Sequence, residues 1–335
     1  MKNLKKLTQT FGVSGRENEI NRVIIEMIGG HADEISTDGI DNVIVLKKGH
    51  GDNRKKVMVS AHKDEIGFMV MAIDANGYLK VRGVGGINAV ISVGNKITFR
   101  NGTVGIVGCA KGAGEVKQDL NDLYVDIGAK NKKDAMKRVQ VGDVACYYGE
   151  LEKLMNNRIA SKAVDDRIGC YIAIEALLRL DKPYNDMYFV FSSQEELGLK
   201  GATVASRIVK PDIGIAVDIT GSFDTPEPGT GNMKLGEGAA IKVMDRSVIC
   251  DEFIVDTMVA ICKKNKIKHQ LDILAAGGTD AGAMNTSNHG VRAGGISIPT
   301  RNGHSPVCVA DMNDVKACID LLVQFAMEDL SGRKD

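Results

Sequence analysis

The chain has 335 residues, 44% of them hydrophobic, enough for one large domain or two smaller ones. Lysine plus arginine and aspartate plus glutamate both number 43, and a net charge of zero argues against nucleic acid or an anionic membrane as the main partner. No apolar run approaches the roughly 20 residues that cross a bilayer, and the start, MKNLKKLTQTFGVSGRENEI, lacks an apolar signal core and a small-residue cleavage site. The expected location is therefore the cytoplasm. Seven cysteines are scattered without a CxxC pair, the pattern of reduced, mostly buried thiols.

The first predicted element is a helix over roughly 17–29, with Ile20, Val23, Ile24, Met27 and Ile28 on one face. Two short strands follow in EISTDGIDNVIVLKKG, and KKVMVSAHKDE then carries a short apolar run that suits a buried parallel strand. Residues 68–157 change texture: short β-rich runs with glycine at close intervals, as in GYLKVRGVGGINAVISVGNKITFRNGTVGIVG, and no long helix beyond a turn or two in KKDAMKRV. That spacing predicts an inserted small β-barrel or sandwich. From about residue 160 strands and helices alternate: RIGCYIAIEALLRL, MYFVFSS, GATVASRIV, IGIAVDIT, AAIKVMD, DEFIVDTMVAICKKN, HQLDIL, GGISIP and a closing helix in MNDVKACIDLLVQFAMEDL. The fold class expected is α/β: a mainly parallel mixed sheet covered by helices, formed by residues 1–67 and 158–335 and interrupted by the β insertion. No repeat of fixed period is present.

The acids and histidines fall just after apolar strands. VMVSAHKD ends in His62 and Asp64, YFVFSSQEE in Glu195 and Glu196, IGIAVDIT delivers Asp218, and GGISIPTRNGH delivers His304. In open α/β sheets, ligands bind beyond the carboxyl ends of the strands. SKAVDDRIG adds Asp165 and Asp166 immediately before a helix. Each residue alone has a plain reading, a helix cap for the aspartates or a loop charge for the glutamates. Together they put imidazoles and carboxylates on one edge of the sheet, where a charge is costly unless paired or ligating. Such donors suit zinc, cobalt or manganese, and the lack of thiolates argues against a structural cysteine zinc site. Two metals about 3.5–4 Å apart need a bridging carboxylate and a base for the water between them. Two adjacent glutamates can supply one ligand and one base.

The order His-x-Asp, Asp-Asp-Arg, Glu-Glu, Asp, His resembles that of the co-catalytic dinuclear metallopeptidases, specifically the M42 aminopeptidases. The likeness runs through SAHKDEIGFMV, AVDDRIGC, SSQEELGLKGA, AVDIT, KLGEGAAIKVMDRS, GGTDAGAMN and HSP, with EELGLKGA and GGTDAGA the most specific. The resemblance implies that His62 and Asp218 bind one metal, Glu196 and His304 the other, and that Asp165 bridges them, often across a cis peptide bond to the next aspartate. It makes Glu195 the general base and Asp64 the acceptor that orients His62. It further implies two divalent ions per subunit (zinc or cobalt), short peptides as substrate, and dimers formed through the β insertion that assemble into dodecamers. One departure stands out. TRNGHSP has Asn302 and Gly303 where family members usually have an aromatic and an apolar residue, which bears on substrate preference.

Two other readings compete with this one. A polysaccharide hydrolase, a label such proteins have carried, fits poorly with no tryptophan and 4% aromatic residues, and paired carboxylates across a sugar would leave His62 and His304 without a role. A non-catalytic assembly protein would be expected to lose the base or the bridging aspartate, and both are present.

Overall fold

The computed structural model describes residues 1–111, 120–226 and 229–332. Two helices, α1 (Lys2–Gln9) and α2 (Asn18–Ile28), precede strands β1 (Glu34–Thr37), β2 (Val43–Lys47) and β3 (Lys56–His62). The α2 helix lies within the predicted 17–29. The α1 helix escapes sequence reading because it is short and lysine-rich; it forms because Leu4 and Leu7, one turn apart, are both buried in the main core.

Six strands then form a separate body: β4 (Gly67–Ile73), β5 (Leu79–Val84), β6 (Lys96–Phe99), β7 (Val104–Cys109), β8 (Leu123–Asp126) and β9 (Val144–Tyr147). They close into a barrel in the order β4-β5-β8-β7-β6-β9, which decides between barrel and sandwich. Closure comes from antiparallel pairing of Phe68 with Ala145 and Met69 with Val144. Phe68, Val70, Leu79, Ile97, Val107 and Val125 fill its interior, with alternate residues turned outward as the pleat requires. Two one-turn helices, α3 (Ala89–Ser92) and α4 (Lys132–Ala135), interrupt the strands. Residues 112–119 of the expected insertion lie outside the described residues.

The rest of the chain returns to the first sheet through β10 (Glu152–Lys153), β11 (Arg158–Ser161), α5 (Val164–Arg179), β12 (Asp186–Ser192), α6 (Lys200–Val209), β13 (Ile213–Gly221), β14 (Ala239–Met244), α7 (Glu252–Asn265), β15 (His269–Ile273), α8 (Asp280–Asn285), β16 (Arg292–Arg301), β17 (Cys308–Asp311) and α9 (Met312–Met327). The sheet is mixed, in the order β1-β2-β12-β3-β13-β16-β17-β11-β10, with β14 beside β16 and β15 beside β14. Its centre, β12-β3-β13-β16, is parallel, and helical crossovers make that possible. On the flanks β1 with β2, β2 with β12, β16 with β14 and with β17, and β11 with β17 and with β10 are antiparallel, while β15 runs parallel to β14. The β17 strand has no counterpart in the sequence reading, being four residues with one helix directly after it.

Strand alternation sorts the core into two layers. Val57, Val59 and Ala61 of β3 face the large cluster built with α1, α2, α5, α7 and α9. Met58 faces the opposite layer with Ala205, Val209, Ala281 and Met284 of α6 and α8. Continuous burial of both faces explains why these strands are unbroken apolar runs.

Candidate active site

The parallel centre sends its functional residues to one edge. His62 is the last residue of β3, in register with Ser192, the last of β12. Past Ser192 the backbone turns through Gln194 in the left-handed region (φ 53°) into a single 3-10 turn, Glu195–Leu197. Asp218 lies near the end of β13, and His304 sits in the loop between β16 and β17 with φ 54°. Asp165 and Asp166 open α5 with non-helical torsions, and the peptide bond between them is cis.

All of the sequence-selected residues converge. His62 Nε2 stands 3.0 Å from Asp165 Oδ1, 3.9 Å from Asp218 Oδ1 and 4.0 Å from Glu195 Oε2. His304 Nε2 stands 3.1 Å from Asp165 Oδ2 and 3.3 Å from Glu196 Oε1. The Asp165 carboxylate thus lies between two imidazoles, one oxygen to each. Asp64 is completely buried and lies 3.5 Å from His62 Nδ1, too long for a strong hydrogen bond. Its firm contacts are elsewhere. It accepts the backbone N–H of Glu195 (3.0 Å) and of Glu196 (3.2 Å), and the hydroxyl of Ser14. The residue expected to orient His62 also anchors the turn of the two glutamates.

Burial dominates the electrostatics. It pushes the Glu195 carboxyl well above the ordinary glutamate value; His62 opposes this, and the charges of Asp218, Asp280 and Glu196 add to it. Burial likewise pushes Asp218 up to about 8 against the pull of His62. It would raise Asp165 too, but hydrogen bonds with His304 and His62 outweigh it and hold that carboxyl below its usual range. Hydrogen bonds to Asp165 and then Glu196 raise His304 to about 11. So many buried carboxylates around two imidazoles are an excess of negative charge, the setting that divalent cations balance.

The donor set fits such cations. His62, Asp166 and Asp218 form one group whose ligand atoms all lie within 4.8 Å of one another, and His62, Asp165 and Glu196 form a second. Among the described residues, Asp166 Oδ2 and Glu196 Oε1 are buried without a hydrogen-bond partner, so carboxylate lone pairs are free for ligation. Among the described residues, the grouped donors are oxygen and imidazole nitrogen, those of zinc, cobalt and manganese.

Sequence reading assigned no ligand or catalytic role to three further groups. Asp166 belongs to the acid cluster read from sequence, with a helix cap as its plain alternative; its carboxyl is completely buried. Asp280, within GGTDAGA, accepts the hydroxyls of Ser60 and Ser192 at 2.6 Å each, and its other oxygen has no partner among the described residues. Gly86 of the barrel accepts the His304 Nδ1–H through its carbonyl at 3.0 Å. A Cβ at Gly86 would meet that ring nitrogen at 2.4 Å, so only glycine permits the approach. Behind the cluster Glu65 receives Lys162 at 2.8 Å and Arg167 at 3.4 Å. In front opens a cleft of about 940 Å³, whose lining includes His62, Glu195, Asp218, His304, Arg246 and Leu274.

A sheet that gathers histidines and carboxylates at its strand ends, beside an inserted barrel, has well-matched counterparts. The model of the M42 glutamyl aminopeptidase family matches residues 41–321. A protein from Acetivibrio thermocellus is 45% identical over 96% of each chain. The aminopeptidase APDkam598 from the archaeon Desulfurococcus kamchatkensis superimposes with a TM-score of 0.93 at 35% identity, covering 98% of this chain and 94% of that one. The TET1 peptidase of Pyrococcus horikoshii, described as able to assemble into a tetrahedron or a large octahedral shell, gives a TM-score of 0.86 at 31% identity over 98% and 99% of the chains. The chain belongs to the M42 peptidase family.

Proposed function

We propose that this protein is a dinuclear metal-dependent aminopeptidase that removes the first residue of short peptides. The observation that carries the reading is Asp165, whose two oxygens each face a different imidazole. His62 and Asp218 would hold one divalent ion, Glu196 and His304 the other, with Asp165 shared between them. Zinc and cobalt suit these donors. Bound there, the ions would polarise the scissile carbonyl and acidify a water molecule.

Glu195 does the proton work in this reading. Its buried carboxylate takes a proton from the attacking water at Oε2 and returns it to the leaving amine nitrogen; the upward push that burial gives its carboxyl suits a group that must hold a proton between those steps. Asp64 keeps Glu195 and Glu196 in place through their backbone amides. Residues 1–67 and 158–335 make the peptidase unit, and 68–157 an insertion used for dimer contacts. The assembling behaviour of the Pyrococcus horikoshii relative supports a homo-oligomer, built of dimers and reaching a dodecamer.

The test is a panel of aminoacyl-nitroanilides and their N-acetylated forms, assayed before chelation, after it, and after reloading with zinc or cobalt. The reading predicts hydrolysis of free-amine substrates only, lost on chelation and restored by metal. Chelator-insensitive hydrolysis, or activity on carboxymethylcellulose instead, contradicts it.

A further inference from the structure

Four consecutive backbone N–H groups at the end of β12 donate to buried side chains. Ser193 N–H donates to Asn42 Oδ1 at 2.8 Å, and Gln194 N–H to Glu17 Oε1 at 3.1 Å. Glu195 and Glu196 N–H donate to the two oxygens of Asp64 at 3.0 and 3.2 Å. The acceptors come from three separate segments: Glu17 before α2, Asn42 before β2 and Asp64 after β3. Glu17 is 2% exposed, and Asn42 and Asp64 are fully buried. Lys63, also fully buried, donates its ammonium to Ser193 Oγ and its backbone N–H to Ser192 O at 2.9 Å. Its charge interacts with both Glu17 and Asp64.

A chain that needed only to fill this volume would use apolar side chains, because buried charges are costly even when paired. Glu17 adds a second argument. It stands at the N-cap position of α2, yet its side chain caps nothing in that helix and is directed at Gln194 instead. Asn42 is itself held, donating to Asp38 Oδ2 at 2.6 Å and to Gly201 O at 2.9 Å. The turn they grip contains a left-handed non-glycine residue, Gln194, a conformation that persists where surroundings over-determine it. Its product is the divergence of two adjacent glutamates: Glu196 towards His304, Glu195 towards His62.

We infer that Glu17, Asn42 and Lys63 are positioning residues for the reaction, forming with Asp64 a buried cradle that sets the directions of Glu195 and Glu196. The inference rests on the base and ligand roles given to those glutamates above. None of the three touches the reacting atoms; they act through the turn. Loss of one acceptor frees an amide, loosens the turn and misdirects the base while leaving the substrate cleft intact.

The experiment compares Glu17→Ala, Glu17→Gln and Glu195→Gln in the full chain. Four quantities are read: amide hydrogen exchange at 193–196, zinc affinity of the apo-protein by calorimetry, kcat with KM on an aminoacyl-nitroanilide, and thermal unfolding. For folded Glu17→Ala, exchange in the turn should quicken about tenfold. Its kcat should fall roughly 10–100-fold, with zinc bound more weakly and KM within about twofold of the parent. Glu17→Gln keeps the acceptor and should recover most of both losses. Unchanged exchange and kcat in Glu17→Ala overturn the cradle, as does a Gln variant as impaired as the Ala variant. If Glu17→Ala does not fold, the Gln variant decides alone: near-parental exchange and kcat support the cradle, and a tenfold or larger loss of kcat overturns it. Glu195→Gln separates the two layers of argument. If it is inactive beside a fully active Glu17→Ala, the cradle alone fails; if it keeps normal turnover, the base assignment fails and the inference with it.

Discussion

Asp165 and His304 lie 3.1 Å apart, carboxylate oxygen to imidazole nitrogen, while the other oxygen of Asp165 stands 3.0 Å from His62. A single side chain thereby ties the end of β3 to the β16–β17 loop. Asp165→Asn keeps the shape but removes the charge that two cations would share. Loss of several kcal/mol of charge stabilisation corresponds to a fall in turnover of about 10²–10⁴-fold. Elemental analysis after native dialysis should show fewer than two divalent ions per chain. Two retained ions with normal turnover would remove Asp165 from the bridging position.

Gly86→Ala tests whether the barrel takes part in the site. The added methyl would meet His304 Nδ1 at 2.4 Å and disturb the 3.0 Å bond that fixes this ring. Displacing an outer partner of a ligating histidine typically costs 10–100-fold in metal affinity or activity. Zinc titration of the apo-variant should show one weakened site, while barrel folding, followed by circular dichroism, is unchanged. Two sites of parental affinity would contradict the coupling.

His62, Glu195, Glu196, Asp218 and His304 were legible because each ends, closely precedes the end of, or follows an apolar strand, and strand ends in an α/β sheet share an edge. Asp280 offered no such cue. It opens a six-residue helix, where an acid reads as a helix-terminus residue, and its contacts with Ser60 and Ser192 join residues far apart in sequence. Glu17 and Gly86 were opaque for the same reason: each acts on a distant segment with no local pattern to mark it. Glycine spacing announced the β insertion, but closure of the barrel depends on β4 meeting β9, a pairing no short window contains. The antiparallel flanks of the sheet were also hidden, since apolar runs report burial and not strand direction.

Lys242 and Asp272 form an ion pair at 2.7 Å across β14 and β15, both side chains almost wholly buried. Removing one partner strands a charge, so Lys242→Met should lower unfolding stability by about 3–5 kcal/mol. The double variant Lys242→Met with Asp272→Leu should recover most of that loss. Denaturant titration of the single and double variants checks both. A double variant as unstable as the single would contradict the stranded-charge account.

Burial pushes the thiols of Cys146 and Cys250 up to about 12, and that of Cys262 up to about 11. In the native protein at pH 8 these thiols should resist alkylation, and the partly exposed Cys109 should react first. The sign for stability follows from the raised values. An unfolded thiol loses its proton near pH 8.5, whereas the folded one keeps it, so this contribution is full below about pH 8 and declines as pH rises from there towards 11–12. Denaturation at pH 7 and pH 10.5, with thiol counting before and after unfolding, tests both statements. Rapid labelling of most thiols in the native protein would contradict them.

The most direct measurement is the turnover of Glu195→Gln together with its metal content. The substitution keeps the side-chain shape and removes only the carboxylate that would accept a proton; general-base catalysis contributes about 10²–10⁴-fold. The account predicts a loss in kcat of that size on an aminoacyl-nitroanilide, with two divalent ions still bound per chain. Near-normal kcat in the fully loaded variant would contradict it.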